Sequence, residues 1–126
     1  MRIVVNIRNG IFRDAVVRTL RDFLSDFEVY ACESPTGTAE FCSVMAADVL
    51  LMEVTNSPFW RLEDRMVIRD KVKSENPACK IVLAVDENSE KKLADRVREA
   101  KKEGRIDQFV YGSISAEYLS AVIDTL

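Results

Sequence analysis

The feature that most constrains this chain is an alternation kept from end to end. Short runs of apolar, β-branched residues take turns with longer segments whose apolar residues recur every three or four places. Arg2 to Ile7 (RIVVNI) is nearly continuous in apolar character, as suits a strand covered on both faces. Asn9-Gly10 makes a turn, and Ile11, Phe12, Ala15, Val16, Leu20, Phe23 and Leu24 then trace the apolar stripe of a helix. Arg13, Asp14, Arg18 and Asp22 are left for solvent. Phe27 to Cys32 (FEVYAC) reads as a second strand. After the loop Ser34-Pro35-Thr36-Gly37, a short helix from Thr38 to Ala46 carries Phe41, Val44 and Met45.

Asp48 to Val54 (DVLLMEV) has an unbroken apolar centre and is the candidate central strand. Asn56-Ser57-Pro58 breaks the chain. Ser57 is placed to cap a helix with Pro58 in its first position, running through Trp60, Leu62, Met66, Ile68 and Val72 until Asn76-Pro77 ends it. Lys80 to Val85 (KIVLAV) is a fourth strand. Asn88 or Ser89 caps a highly charged helix from Glu90 to Glu103, which stops at Gly104. Gln108 to Tyr111 is a short fifth strand. Ser115 caps the last helix, Ala116 to Leu126, with Tyr118, Leu119, Val122 and Ile123 on its apolar face. Strict alternation with short loops predicts one α/β domain over residues 1–126, a parallel sheet covered on both faces. Right-handed crossovers bring every strand-to-helix loop to one sheet edge, where such folds place their sites.

Composition excludes several classes. With 48% apolar and 31% charged residues and a formal charge of −3, the chain has neither the bias of a disordered segment nor the basic footprint of a nucleic-acid binder. No apolar run is long enough to cross a membrane, and the first residues lack the apolar core of a signal peptide, so a cytoplasmic setting is expected. Cys32, Cys42 and Cys79 are odd in number and widely spaced, and there is no histidine. Neither a disulfide framework nor a zinc site is indicated, and no cofactor is expected.

The whole chain resembles the receiver domain of two-component response regulators. The resemblance rests on the first strand, on ADVLLMEV at the third, on CKIVLAVDEN at the fourth, and on DQFVYGSISAEYL leading into the last helix. It implies a flavodoxin-like (βα)5 three-layer sandwich whose five-stranded parallel sheet has the order 2-1-3-4-5. Receivers move a phosphoryl group onto an aspartate at the end of strand three. An acidic pair after strand one holds Mg²⁺, and a Thr or Ser after strand four and a Lys after strand five bind the phosphoryl oxygens. Cations are needed because a carboxylate attacks an anionic phosphoryl group poorly until the charge is neutralised.

Every chemical place departs from that pattern. The phospho-acceptor place falls on Glu53, and the acidic pair on Asn6 and Ile7. The hydroxyl place falls on Val85, with Asp86 next. The Lys place falls on Gly112, followed by Ser113 where a Pro is usual. The expectation is a pseudo-receiver, non-enzymatic and without metal, that signals through protein partners or an output domain. Glu53 has two readings: a mimic of phosphoaspartate, or a half-buried carboxylate bonded to nearby backbone amides. Phe109 takes the place of the receiver switch aromatic with Val85 opposite, and without polar handles it reads as core.

The resemblance also implies a docking or dimerisation face built from helix four, strand five and helix five. Arg96 and Lys101 could meet Glu117 and Asp124 of a twin subunit, with Tyr111 and Tyr118 as an aromatic patch. Intrahelical pairing on a solvated face is the simpler alternative. Phe59-Trp60, on the loop edge, serves either as a partner anchor or as a satellite of the core. Two rival classes stay open: a flavodoxin-like ligand-binding protein, and a metal-dependent enzyme using Glu53, Asp86 and Glu87.

Overall fold

The computed structural model describes residues 1–86, 91–112 and 114–126. Five parallel strands, β1 (Arg2–Asn6), β2 (Glu28–Ala31), β3 (Val49–Glu53), β4 (Lys80–Val85) and β5 (Gln108–Tyr111), form one sheet in the order β2-β1-β3-β4-β5. All four pairings are parallel, with Leu50 opposite Val4 on one side and Ile81 on the other. Helices α1 (Gly10–Phe23), α2 (Thr38–Met45), α3 (Leu62–Glu75), α4 (Lys91–Lys102) and α5 (Ala116–Asp124) connect or follow them. The fold is the three-layer sandwich that the alternation implies.

Two cores explain why the central strands are apolar throughout. Successive strand residues point to opposite faces. Ile3, Val5 and Leu51 meet Val16, Leu20, Leu119 and Ile123 of α1 and α5. Val4, Leu50 and Met52 meet Cys42, Met66, Val72 and Val97 on the side of α2, α3 and α4. Each fully buried Leu or Ile contributes about 1.5–3 kcal/mol by leaving water.

Most helix ends follow local chemistry. Asn9 Oδ1 accepts the Phe12 N–H at 3.0 Å, and Ser115 Oγ accepts the Tyr118 N–H at 3.2 Å, each satisfying a donor that the first turn leaves open. Beyond α4, Gly104 takes a left-handed φ of 75°. The start of α3 differs from expectation. Ser57 and Pro58 do not open the helix; they enter a turn in which the Trp60 N–H reaches Ser57 O and the Thr55 N–H reaches Trp60 O. The helix begins at Leu62 behind an extended Arg61, whose N–H donates to Asp64 Oδ2 at 3.2 Å.

Five apolar assignments also change: Ile11, Ala15, Phe23, Val44 and Tyr118 are exposed. The packed stripe of α1 is centred on Val16, Val17 and Leu20, which puts Ile11 on the far side of the helix. In α2 the buried residues are Thr38 and Cys42, and Val44 turns outward. The cap expected at Asn88 or Ser89, the helix start at Glu90, and Glu87 and Ser113 lie outside the described residues. Among the described residues no helix is long and apolar enough to cross a membrane.

Candidate functional site

The strand order reverses between β1 and β3, and the loops at their carboxyl ends meet there. Asn6, the last residue of β1, is fully buried on the α2–α3 side. Its Nδ2 donates to Cys32 O at 2.7 Å and to Ser34 O at 3.2 Å. Its Oδ1 accepts from Thr38 Oγ1 at 3.0 Å and from Arg65 Nη1 at 2.5 Å. Both ends of the amide are thereby engaged.

Arg65 is the residue that sequence reasoning missed. It lies on α3, is 0% exposed, and drives its guanidinium into the loop edge. Nη2 donates to Pro35 O at 2.8 Å and to Phe59 O at 2.9 Å, and the group lies 4.9 Å from the centre of the Trp60 ring. Nε has no partner among the described residues. Burial pulls its pKa down to about 10, opposed by the charges of Asp64 and Glu53. It therefore stays a cation at neutral pH. Three charge-assisted hydrogen bonds and a ring face offset a desolvation cost of several kcal/mol. A signal was available: Arg65 falls on the same helical face as Leu62, Met66 and Val72, where an apolar residue belongs.

Glu53, at the end of β3, is half-buried, and its Oε1 accepts the Arg8 backbone N–H at 2.8 Å. This is the amide-bonded arrangement of its second reading. Ile7 is fully buried and belongs to the opposite core, with α1 and α5, so the two places of the acidic pair face different layers. Val85 is buried; Asp86 beyond it is exposed. Gly112 is exposed, and a β-carbon built there would meet Phe12 Cζ at 3.8 Å, so the backbone leaves room for a side chain. Among the described residues no three Cys, Asp or Glu side chains come together as a metal site; Glu87 is not among them.

On β5 the expected pairing shifts. Phe109 stands opposite Leu83, and Tyr111 stands opposite Val85, since the register offsets the strand by one full pleat. The Phe109 and Tyr111 rings meet edge to face with centroids 5.6 Å apart, both against the α4-side core. Tyr111 carries the polar handle that Phe109 lacks: its hydroxyl accepts from Arg98, which also pairs with Asp95.

Of the residues expected at a docking face, Arg96 pairs through Nη2 with Glu63 of α3 at 3.0 Å. Lys101 is half-buried on α4, while Glu117, Tyr118 and Asp124 are exposed on α5. The Phe59-Trp60 pair divides. Trp60 is 6% exposed beneath the loop and Phe59 is 59% exposed, with a left-handed φ of 71°. All three cysteines are buried, and burial pushes the Cys42 thiol up to about 12 and Cys79 to about 11.

Solved structures align with this architecture over nearly its whole length. The alignment covers 98% of this chain and 96% of the Vibrio cholerae chemotaxis protein CheY4, at 17% identity and a TM-score of 0.76. For the receiver domain of NtrX from Brucella abortus the values are 98%, 95%, 16% and 0.75. The fold is that of a response-regulator receiver. A streptococcal protein from a family of redox sensors evolved from two-component response regulators shares the receiver fold at 14% identity and a TM-score of 0.77, and there the chain spans 49% of the neighbour's length. No family model and no curated protein matches the sequence.

Proposed function

We propose that this domain is a receiver-type signalling module that takes up no phosphoryl group and acts by binding protein partners. The observation that carries this reading is the Arg65 guanidinium on Asn6. Mg²⁺ needs hard oxygen ligands, mostly carboxylates, at this edge. Here the Ile7 side chain offers no oxygen, and Asn6 Oδ1 already accepts from Thr38 and from a fixed cation. Such residues do not fit the metal. Val85 and Gly112 likewise supply neither a hydroxyl nor an ammonium for phosphoryl oxygens. The amide-bonded Glu53 favours a structural carboxylate over a phosphoaspartate mimic.

Acetyl phosphate and Mg²⁺, added to the full chain, test the reading by intact mass and by the fluorescence of Trp60, which lies against Arg65. We expect no phosphoryl adduct and no Mg²⁺-dependent quenching; either response overturns the proposal.

The partner-facing surface we assign to α4, β5 and α5, with Lys101, Tyr111, Glu117, Tyr118 and Asp124. Arg96 is withdrawn from it by Glu63. If two copies meet through these charges, sedimentation at low salt gives a dimer that dissociates at high salt. A monomer at both salts restricts the face to other proteins.

The buried, high-pKa thiols do not favour a redox role like that of the streptococcal neighbour, because the thiolate is the reactive form.

A further inference from the structure

A recess of about 180 Å³ opens between α1, α5 and the sheet, on the face opposite Arg65. Ile7, Val16, Leu51, Val110 and Leu119 wall it, and Phe12 stands beside Gly112 at its loop-edge end. Among the described residues no charged side chain lines it, and Thr19 and Ser115 bring hydroxyls to it; the Tyr111 ring turns to the other face of the sheet, against α4. Two lining residues, Ile7 and Gly112, stand at places where the receiver resemblance implies a carboxylate and a lysine. With an aliphatic group at one and no side chain at the other, the end of the recess is apolar and open.

We propose that this recess binds a small, uncharged, single-ring apolar molecule carrying at most one hydroxyl. Volume and lining decide the class. An apolar cavity of about 150 Å³ accommodates benzene, whereas a dinucleotide or flavin needs several times that space. A carboxylate or phosphate buried here would meet no counter-charge and would keep its full desolvation cost. A ring hydroxyl has an acceptor or donor within the lining, since Ser115 Oγ spends only a lone pair on the Tyr118 N–H and keeps its proton to donate. Because the recess lies across the sheet from Asn6 and Arg65, its occupancy is independent of the phosphoryl-transfer reading.

The test is titration of the ¹⁵N-labelled full chain with toluene, p-cresol and benzoate, followed by amide shifts. Toluene and p-cresol should give saturable shifts at Ile7, Phe12, Val110, Gly112 and Leu119, and benzoate should bind at least about tenfold more weakly. Gly112→Leu and Ala15→Leu, which fill the recess from opposite sides, should each weaken toluene binding by about tenfold or more. Cross-relaxation between toluene protons and the Ile7 and Leu119 methyls reads the site in the unaltered chain, should either variant fold poorly. Shifts that never saturate, that centre on the exposed Ile11, Phe23 or Val44, or that persist unchanged in both filled variants overturn the proposal. Absence of binding by either neutral ring also overturns it and leaves the recess to a partner's side chain.

Discussion

At the scale of single residues, Arg65 joins three loops through one planar group: Asn6 at the end of β1, Pro35 after β2 and Phe59 after β3. Arg65→Met removes a donor from all three oxygens, leaving Asn6 Oδ1 and Pro35 O with Thr38 alone, while removing a buried charge. The first effect wins, because three charge-assisted bonds and the Trp60 ring face are lost together, and we expect a net loss of about 2 kcal/mol in urea unfolding. Arg65→Lys should fall between, since an ammonium cannot span all three acceptors as the fork does. The second prediction concerns Glu53. Restoring the receiver residue with Glu53→Asp should still give no adduct with acetyl phosphate and Mg²⁺ by intact mass, because Asn6 remains engaged and Ile7 apolar. The departures at these positions were visible in the sequence, but the cation among them was not. An arginine in a charged helix reads as solvated, and only its spacing from Leu62 and Val72 hints otherwise.

At the scale of elements, the strands and most caps follow from pattern and cap chemistry, as Asn9, Ser115 and Gly104 illustrate. The start of α3 does not. Ser57-Pro58 satisfies every local rule for a helix opening, yet Trp60 must turn beneath the loop to lie on Arg65, and the turn this requires delays the helix to Leu62. A long-range contact overrode a local preference. The end of α2 offers a test of local chemistry alone. Ala46 holds a left-handed φ of 51° at the C-cap and is exposed, so its β-carbon is strained with nothing to pack against. Ala46→Gly should stabilise the domain by about 1 kcal/mol, read as a higher urea midpoint with an unchanged slope.

At the scale of the whole molecule, the topology was legible because both cores draw on continuous apolar strands, which a doubly covered sheet demands. What that pattern conceals is titration. The Cys42 and Cys79 thiols, ordinarily near 9.0, are raised to about 12 and about 11, and burial raises Cys32 as well. Raised folded values mean that the native state keeps protons which the unfolded chain loses. This stability is fully present below pH 9.0 and is lost as pH rises through the folded values. Arg65 acts with the opposite sign, but only above about 10, where the folded chain begins to release a proton that the unfolded chain still retains. Between about pH 9 and 10 the thiols therefore dominate, and stability should fall by on the order of 2 kcal/mol. Urea midpoints across that interval check the fall, and Cys42→Ala should make it shallower.

A cation carried on a side chain differs from a bound ion in one further respect. Its effective concentration at the site is set by a tether and not by the surrounding solution. Chelators cannot strip it, competing divalents cannot exchange with it, and dilution does not lower its occupancy. A receiver that borrows its positive charge from solution is coupled to the supply of that ion. If this domain works as proposed, with Arg65 as its fixed positive charge, the shape of its loop edge should be the same at any magnesium level, and whatever it reports must enter by another door.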